Sequence, residues 1–255
     1  MSIARNDLLA DLNLLLDVKS FEDYSPNGLQ IEGKSELKKI AFAVSATHES
    51  LQQAITWGAD ALIVHHGVFW KHEGARPVIG PWGERVKKCI QNDLNLIAYH
   101  LPLDAHLQVG NAKTLADLIG LQNISPFGLH KRQYSGVKGT FPSIKVKELK
   151  TKLEKILNHS VTLASHDEEA MISSMGIITG GANNDWIKAQ EDGLDAYLTG
   201  EISEYNWHDA KEAGIHYFAG GHHATEKFGV QALSNYIQKK YPQIEIKFFD
   251  SENPA

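Results

Sequence analysis

Ala61-Leu62-Ile63-Val64-His65-His66-Gly67 is an unbroken apolar run that ends in adjacent histidines and a glycine. Such a run, with β-branched Ile63 and Val64 in it, reads as a strand buried on both faces. Strands of that kind sit in parallel sheets covered by helices. The flanking segments agree. Residues 40–45 form a second apolar run, 49–57 are helical, a helix follows around 84–92, and 94–99 is another strand. A helix is expected over 111–119. Upstream, Leu8, Leu9, Leu12, Leu15 and Leu16 mark an amphipathic helix within residues 3–17, and Asp23-Tyr24-Ser25-Pro26-Asn27-Gly28 is a turn cluster.

Residues 125–173 break this rhythm with Pro126, Gly128, Gly136, Gly139 and Pro142, short β-like pieces and one helix at 147–157. They read as an α+β connection. Alternation then resumes with strands at 175–179, 196–199, 216–219 and 244–248, and helices at 185–191, 204–213 and 223–239. The second stretch resembles a degenerate copy of the first. Gly58-Ala59-Asp60 leading to His65-His66 lines up with Gly193-Leu194-Asp195 leading to Gly200-Glu201, and Ala98-Tyr99-His100 with Ala219-Gly220-Gly221-His222. The expected fold is therefore α/β: two similar halves, residues 1–124 and 174–255, with mostly parallel sheets, joined through 125–173 into one interlocked unit. In open α/β sheets ligands bind beyond the carboxyl ends of strands, so one cleft would receive polar residues from both halves.

Those polar residues are metal ligands by type. His65 and His66 follow the first strand; His100 and Asp104 lie in His100-Leu101-Pro102-Leu103-Asp104; His222 and Glu226 lie four apart in Gly221-His222-His223-Ala224-Thr225-Glu226. Imidazole nitrogen and carboxylate oxygen suit a borderline divalent ion. The set exceeds what one ion needs, which points to two. Successive strand side chains alternate, so His65 and His66 are expected to diverge where the backbone turns at the strand end. The spacing of His222 and Glu226 puts both on one helix face. The expected assignment pairs His65 with His222 on one ion and His66 with Asp104 on the other, with Glu226 as the bridge. His100, His106 and Glu201 are outer candidates: Glu201 as an imidazole partner, a general base or a helix-terminal acid, His100 as a proton shuttle, an anion contact or a structural hydrogen bond. His223 is the neighbour facing away, and His72, His130, His159 and His166 take no role.

Composition narrows the classes. The 255 residues are 42% apolar and 22% charged, as in a globular protein, and the net charge of -6 disfavours a surface built to grip nucleic acid. Cys89 is the only cysteine, which excludes an intrachain disulfide and a thiolate cage. The N-terminus lacks the layout of a secretory signal and no apolar run reaches membrane-spanning length, so a cytoplasmic protein is expected. No phosphate loop, zincin helix, dinucleotide fingerprint or G-x-S-x-G elbow is present.

Asn27-Gly28-Leu29-Gln30, Gly58-Ala59-Asp60 with His65-His66, His100-Leu101-Pro102-Leu103-Asp104, Thr199-Gly200-Glu201 and Gly221-His222-His223-Ala224-Thr225-Glu226 together resemble the GTP cyclohydrolase 1 type 2 homologues, the NIF-three-like dinuclear-metal family. The Phe69-Trp70-Lys71 continuation is similar to its short bacterial branch, which lacks an inserted middle domain. The resemblance implies two α/β halves around two metals, the ligands His65, His66, Asp104, His222 and Glu226, and a ring-shaped homohexamer with its sites facing the inner cavity. One departure is Ser45-Ala46-Thr47, where many relatives carry an aspartate before the threonine.

Two functions compete on these residues. One is a metal-dependent hydrolase acting on C–N bonds or phosphoesters, with Glu201 or His100 moving protons. The other is a non-enzymatic metal-handling or regulatory hexamer. The donor set admits Zn, Mn, Fe, Co or Ni and leaves the substrate open.

Overall fold

The computed structural model describes residues 1–255. The first unit opens with β1 (Ile3–Ala4), α1 (Arg5–Leu15), β2 (Gly28–Ile31) and β3 (Glu36–Leu37), then β4 (Lys39–Ser45), α2 (His48–Trp57), β5 (Ala61–His66), α3 (Gly80–Gln91) and β6 (Asn95–Ala98). Strands β4, β5 and β6 run parallel in register Ile40↔Ala61↔Asn95, and β2 pairs antiparallel on the far side of β6. Every residue from Ala61 to His65 is fully buried, as a central parallel strand requires. Leu62 and Val64 pack with Leu51 and Ala54 of α2 and with Val86 and Cys89 of α3. Helix α2 starts where Thr47 and Ser50 form a reciprocal capping box and stops at Gly58, whose φ of 77° closes the last turn.

The chain continues through α4 (Leu101–Ala105), α5 (Asn111–Ile119), β7 (Gln122–Phe127), β8 (Gly136–Lys145), α6 (Val146–Leu157), β9 (Thr162–Ala164), β10 (Met171–Ile177), α7 (Trp186–Glu191), β11 (Ala196–Thr199), α8 (Glu204–Glu212), β12 (His216–Ala219) and α9 (His222–Lys240). Strands β10, β11 and β12 are the parallel centre of a six-stranded sheet of order β7-β8-β10-β11-β12-β9, whose outer pairings are antiparallel. Alternation along β11 and β12 separates its two faces. Leu198 and Phe218 join Leu149, Leu153 and Leu157 of α6, while Tyr197 and Tyr217 join Trp186, Ala189 and Ala210.

The expected α/β class with two similar halves holds: β4-α2-β5-α3-β6 and β10-α7-β11-α8-β12 repeat one plan. The boundaries fall elsewhere. The compact units are residues 1–103 with 230–252, and 104–229 with 253–255. Residues 125–173 are no separate connection, because β7, β8 and β9 hydrogen-bond into the second sheet. The chain end also departs from the simple two-half division. Strand β13 (Glu245–Phe248) pairs parallel with β4, so the last strand completes the first sheet. No helix is long and apolar enough to cross a membrane.

Candidate metal centre

In the first unit the carboxyl ends of β5 and β6 deliver three imidazoles. His65, His66 and His100 each offer a ring nitrogen within 4.8 Å of the others. The His65 and His66 rings are 4.5 Å apart and tilted by 49°. The backbone does not turn between them as expected, since β5 continues through His66 in register with Ser45. Instead each ring leans toward a different neighbouring strand. His65 Nδ1 donates to the carbonyl of Tyr99 at 2.9 Å, beyond β6, and His66 Nδ1 meets Ser45 Oγ of β4 at 3.0 Å.

A carbonyl can only accept, so Nδ1 of His65 carries a proton and Nε2 is the ring atom a cation would use. His100 follows the same rule. Its Nδ1 donates to Asp23 Oδ1 at 2.7 Å. Asp23 also accepts the peptide N–H groups of Tyr24 at 2.5 Å and Leu101 at 2.9 Å, and the Asn27 amide at 2.8 Å. Burial pushes the Asp23 carboxyl up, but these donors outweigh it and hold the group at about 2. Asn27 closes the circuit by accepting from His100 N at 2.7 Å. Gln30 ties the same turn to the segment after His66, accepting from Val68 N at 2.8 Å and donating to Ser25 Oγ at 3.1 Å. The turn cluster read from the sequence is thus the rear wall of the histidine cluster. Trp70 packs edge-on against His100, with centroids 5.1 Å apart.

In the second unit the entry to α9 and the ends of β10 and β11 build a set of opposite character. His222 Nε2 lies 3.1 Å from Glu226 Oε2, and its Nδ1 lies 2.5 Å from Glu201 Oε1. Burial pulls this imidazole down, but the two carboxylates outweigh it and hold it at about 9. Glu201 therefore acts on His222 rather than on a helix terminus. Carboxylate oxygens of Asp104 and Glu226 lie within 4.8 Å of each other, although both residues are buried. Two carboxylates so close and so far from water gather negative charge, which the raised His222 imidazole offsets in part and a bound cation would offset further. The donor atoms suit a divalent ion: imidazole nitrogens in one unit, carboxylate oxygens beside an imidazole in the other.

The remaining histidines separate from this group. His106 Nδ1 accepts the N–H groups of Gln108 and Val109 and so shapes its own loop. His216 stacks on His166 at 4.6 Å, at the opposite ends of the second unit's strands. Cys89 is fully buried and its thiol is pushed up to about 12 by burial, which suits a packing role. Sequence reading missed Asp23, Ser45, Thr179 and Asn111, all of which touch a candidate ligand or its neighbour. Their signal was local: Asp23 opens the turn cluster, and Ser45 heads the Ser45-Ala46-Thr47 departure.

A family model described as Duf34/NIF3 (NGG1p interacting factor 3) matches residues 3–254. The chain belongs to the DUF34/NIF3 family. A relative from Haemophilus influenzae called GTP cyclohydrolase 1 type 2 homolog is 42% identical over 247 residues, covering 96% of each chain. Among solved structures, one described as protein ybgI, unknown function, matches with TM-score 0.91 and 36% identity over 99% of this chain and 100% of that one. That of TTHA1606 from Thermus thermophilus matches with TM-score 0.88 and 27% identity over 99% of both.

Within this DUF34/NIF3 chain one glycine guards the carboxylates. Gly180, with φ of 69°, follows β10 at the point where Glu226 approaches. An added Cβ would overlap Glu226 Oε1 and lie 3.1 Å from His222 Nε2. Gly180→Ala is expected to cost about 1–2 kcal/mol through the left-handed backbone alone. Displacement of the Glu226 carboxylate should weaken divalent-metal binding as well. A thermal melt and metal content measured on the same preparation check both effects.

Proposed function

We propose that His65, His66, Asp104, His222 and Glu226 hold two divalent metal ions and that the protein is a metal-dependent hydrolase acting on C–N bonds or phosphoesters. The observation that carries this reading is the pair of buried carboxylates, Asp104 and Glu226, within 4.8 Å of each other beside an imidazole. Two buried carboxylate oxygens beside an imidazole are a donor set that serves a divalent cation well. His65 and His66 would supply imidazole ligands, and Asp104 and Glu226 would supply carboxylate ligands. Ligand-type residues at the strand ends of each half support the metal reading, as does the relatives' name, GTP cyclohydrolase 1 type 2 homolog, for the hydrolase. The ring-shaped homohexamer and the cytoplasmic location belong to the same proposal.

When bound, two divalent ions supply Lewis acidity and an activated water. This chain's residues do the rest. Glu201 holds Nδ1–H of His222, so Nε2 would be the atom that ligates a metal. Asp23 holds Nδ1–H of His100, so Nε2 is the atom at which a proton passes to or from the substrate. Trp70, edge-on to His100, walls that side from water.

The test is metal analysis of freshly purified protein beside a His65→Ala variant, each then screened against nucleotides, cyclic amides and phosphoesters. The expected result is about two metal equivalents in the wild type, loss in the variant, and hydrolysis that tracks metal content. A metal-loaded wild type that turns over no member of the panel would overturn the hydrolase and leave a metal-handling protein.

A further inference from the structure

Asp104 is the ligand candidate with the shortest element beneath it. Helix α4 has five residues, too few to hold a side chain rigid by its own hydrogen bonds. The carboxylate is nevertheless fixed. Asn111 Nδ2 donates to Asp104 Oδ1 at 2.9 Å, and Thr179 Oγ1 donates to the same oxygen at 3.2 Å. Both donors are buried, Asn111 completely. Asn111 sits at the first position of α5, and Thr179 lies just past the end of β10.

The other end of the Asn111 amide reaches α9. Its Oδ1 accepts the peptide N–H of Gly229 at 2.6 Å, three residues beyond Glu226. The amide orientation follows from its partners, because a carboxylate only accepts and a peptide N–H only donates. Residue 229 must be glycine for the approach: a Cβ there would lie 2.5 Å from Asn111 Oδ1 and 3.1 Å from the Asn111 backbone nitrogen. One side chain therefore connects the Asp104 carboxylate to the helix that carries His222 and Glu226.

We infer that Asn111, with Thr179, is a positioning clamp that sets the Asp104 carboxylate against α9 for metal binding. The inference rests on the metal reading above. Both donors converge on Oδ1. Ligating carboxylates are held in this way by neighbours whose loss lowers metal affinity about 10–100-fold. The bridge to Gly229 adds a second function: it keeps the distance between Asp104 and Glu226 constant, which a site shared by two cations requires.

The experiment titrates cobalt(II) chloride into metal-stripped full-length protein and follows both the d–d absorption and competition with a chelator. Asn111→Ala is expected to bind cobalt roughly 10–100-fold more weakly and with an altered d–d spectrum. Thr179→Val preserves shape, removes only one donor, and is expected to show a smaller shift in the same direction. It keeps the test decisive if Asn111→Ala does not fold. A purely structural role would lower the melting temperature of both variants while leaving cobalt affinity and spectrum at wild-type values, and that result overturns the clamp. Failure of the wild type itself to bind cobalt would overturn the metal reading, an outcome separate from a wild type and variants that bind alike.

Discussion

Glu226→Ala should lower divalent-metal affinity more than about 100-fold, beyond the 10–100-fold typical of residues that only support a ligand. Three features set the size of the effect. Glu226 is 3% exposed, so water cannot readily replace its oxygens. It lies within reach of both Asp104 and His222, so its loss strips negative charge from the place where cations would gather. It is also one of the two carboxylates that hold His222 at about 9. In metal-free protein that imidazole carries a proton at neutral pH, and a cation ligated by Nε2 must expel it. Affinity in the wild type should therefore rise with pH, by roughly tenfold per unit below about 9, until deprotonation is complete. The linkage runs the other way for the metal-free fold. A raised imidazole pKa stabilises fully below the ordinary value of 6.5, and the contribution fades as pH passes about 9. Glu226→Ala should weaken both dependences, because only Glu201 remains beside the ring. Calorimetric metal titration at several pH values, with chemical denaturation of stripped protein at the same pH, checks them together. Unchanged affinity in the variant would remove Glu226 from the ligand set.

Much of this was legible in the sequence because the strands announce themselves. Ala61 to Val64 and Ala196 to Thr199 are apolar runs with no competing helical period, and both are buried central strands. The helix at 111–119 was placed without error, since Gly110 and Gly120 punctuate both ends. The ligand candidates were legible by residue type, as imidazoles and carboxylates at or soon after the ends of such strands. What escaped depends on pairings that periodicity does not encode. Strand β13 carries a pattern that fits either sheet, and only the register with β4 puts it in the first. The two-residue strands β1 and β3 are too short to show any period. The residues that orient the ligands escaped for a chemical reason. Asp23, Ser45, Thr179 and Asn111 are turn, strand-end and helix-start residues of ordinary type, and their partners lie 77, 21, 75 and 7 positions away in the chain. The expected turn between the adjacent histidines is absent: strand β5 carries on through His66, and the two rings make hydrogen bonds to different neighbouring segments.

Asp23→Ala is expected to cost about 1–3 kcal/mol of stability, the range for leaving buried hydrogen-bond donors without their acceptor. Asp23 is 5% exposed and gathers donors from three places: its own turn, Asn27, and the His100–Leu101 step that ends β6. Alanine would leave those N–H groups buried without an acceptor. Asparagine would not rescue them, because both carboxylate oxygens receive donors and one would become an NH2 group facing another N–H. The acid limb of stability should carry the same signature. Donors around Asp23 hold it at about 2 against an ordinary 3.8, despite the opposing effect of burial. A depressed carboxyl contributes its stabilisation above pH 3.8 and loses it as pH falls toward 2, so wild-type stability should drop through that window and the alanine variant should lack that component. Urea denaturation between pH 2 and 6 measures both. The functional consequence separates Asp23 from an ordinary core residue. Without it the His100 ring loses the acceptor that fixes Nδ1–H, and Asn27 loses the partner that orients it against His100 N. Hydrolytic rate at saturating substrate should then fall further than metal content. A variant that is destabilised but keeps a wild-type rate per bound metal would show that the Asp23–His100 pair holds the fold and moves no proton.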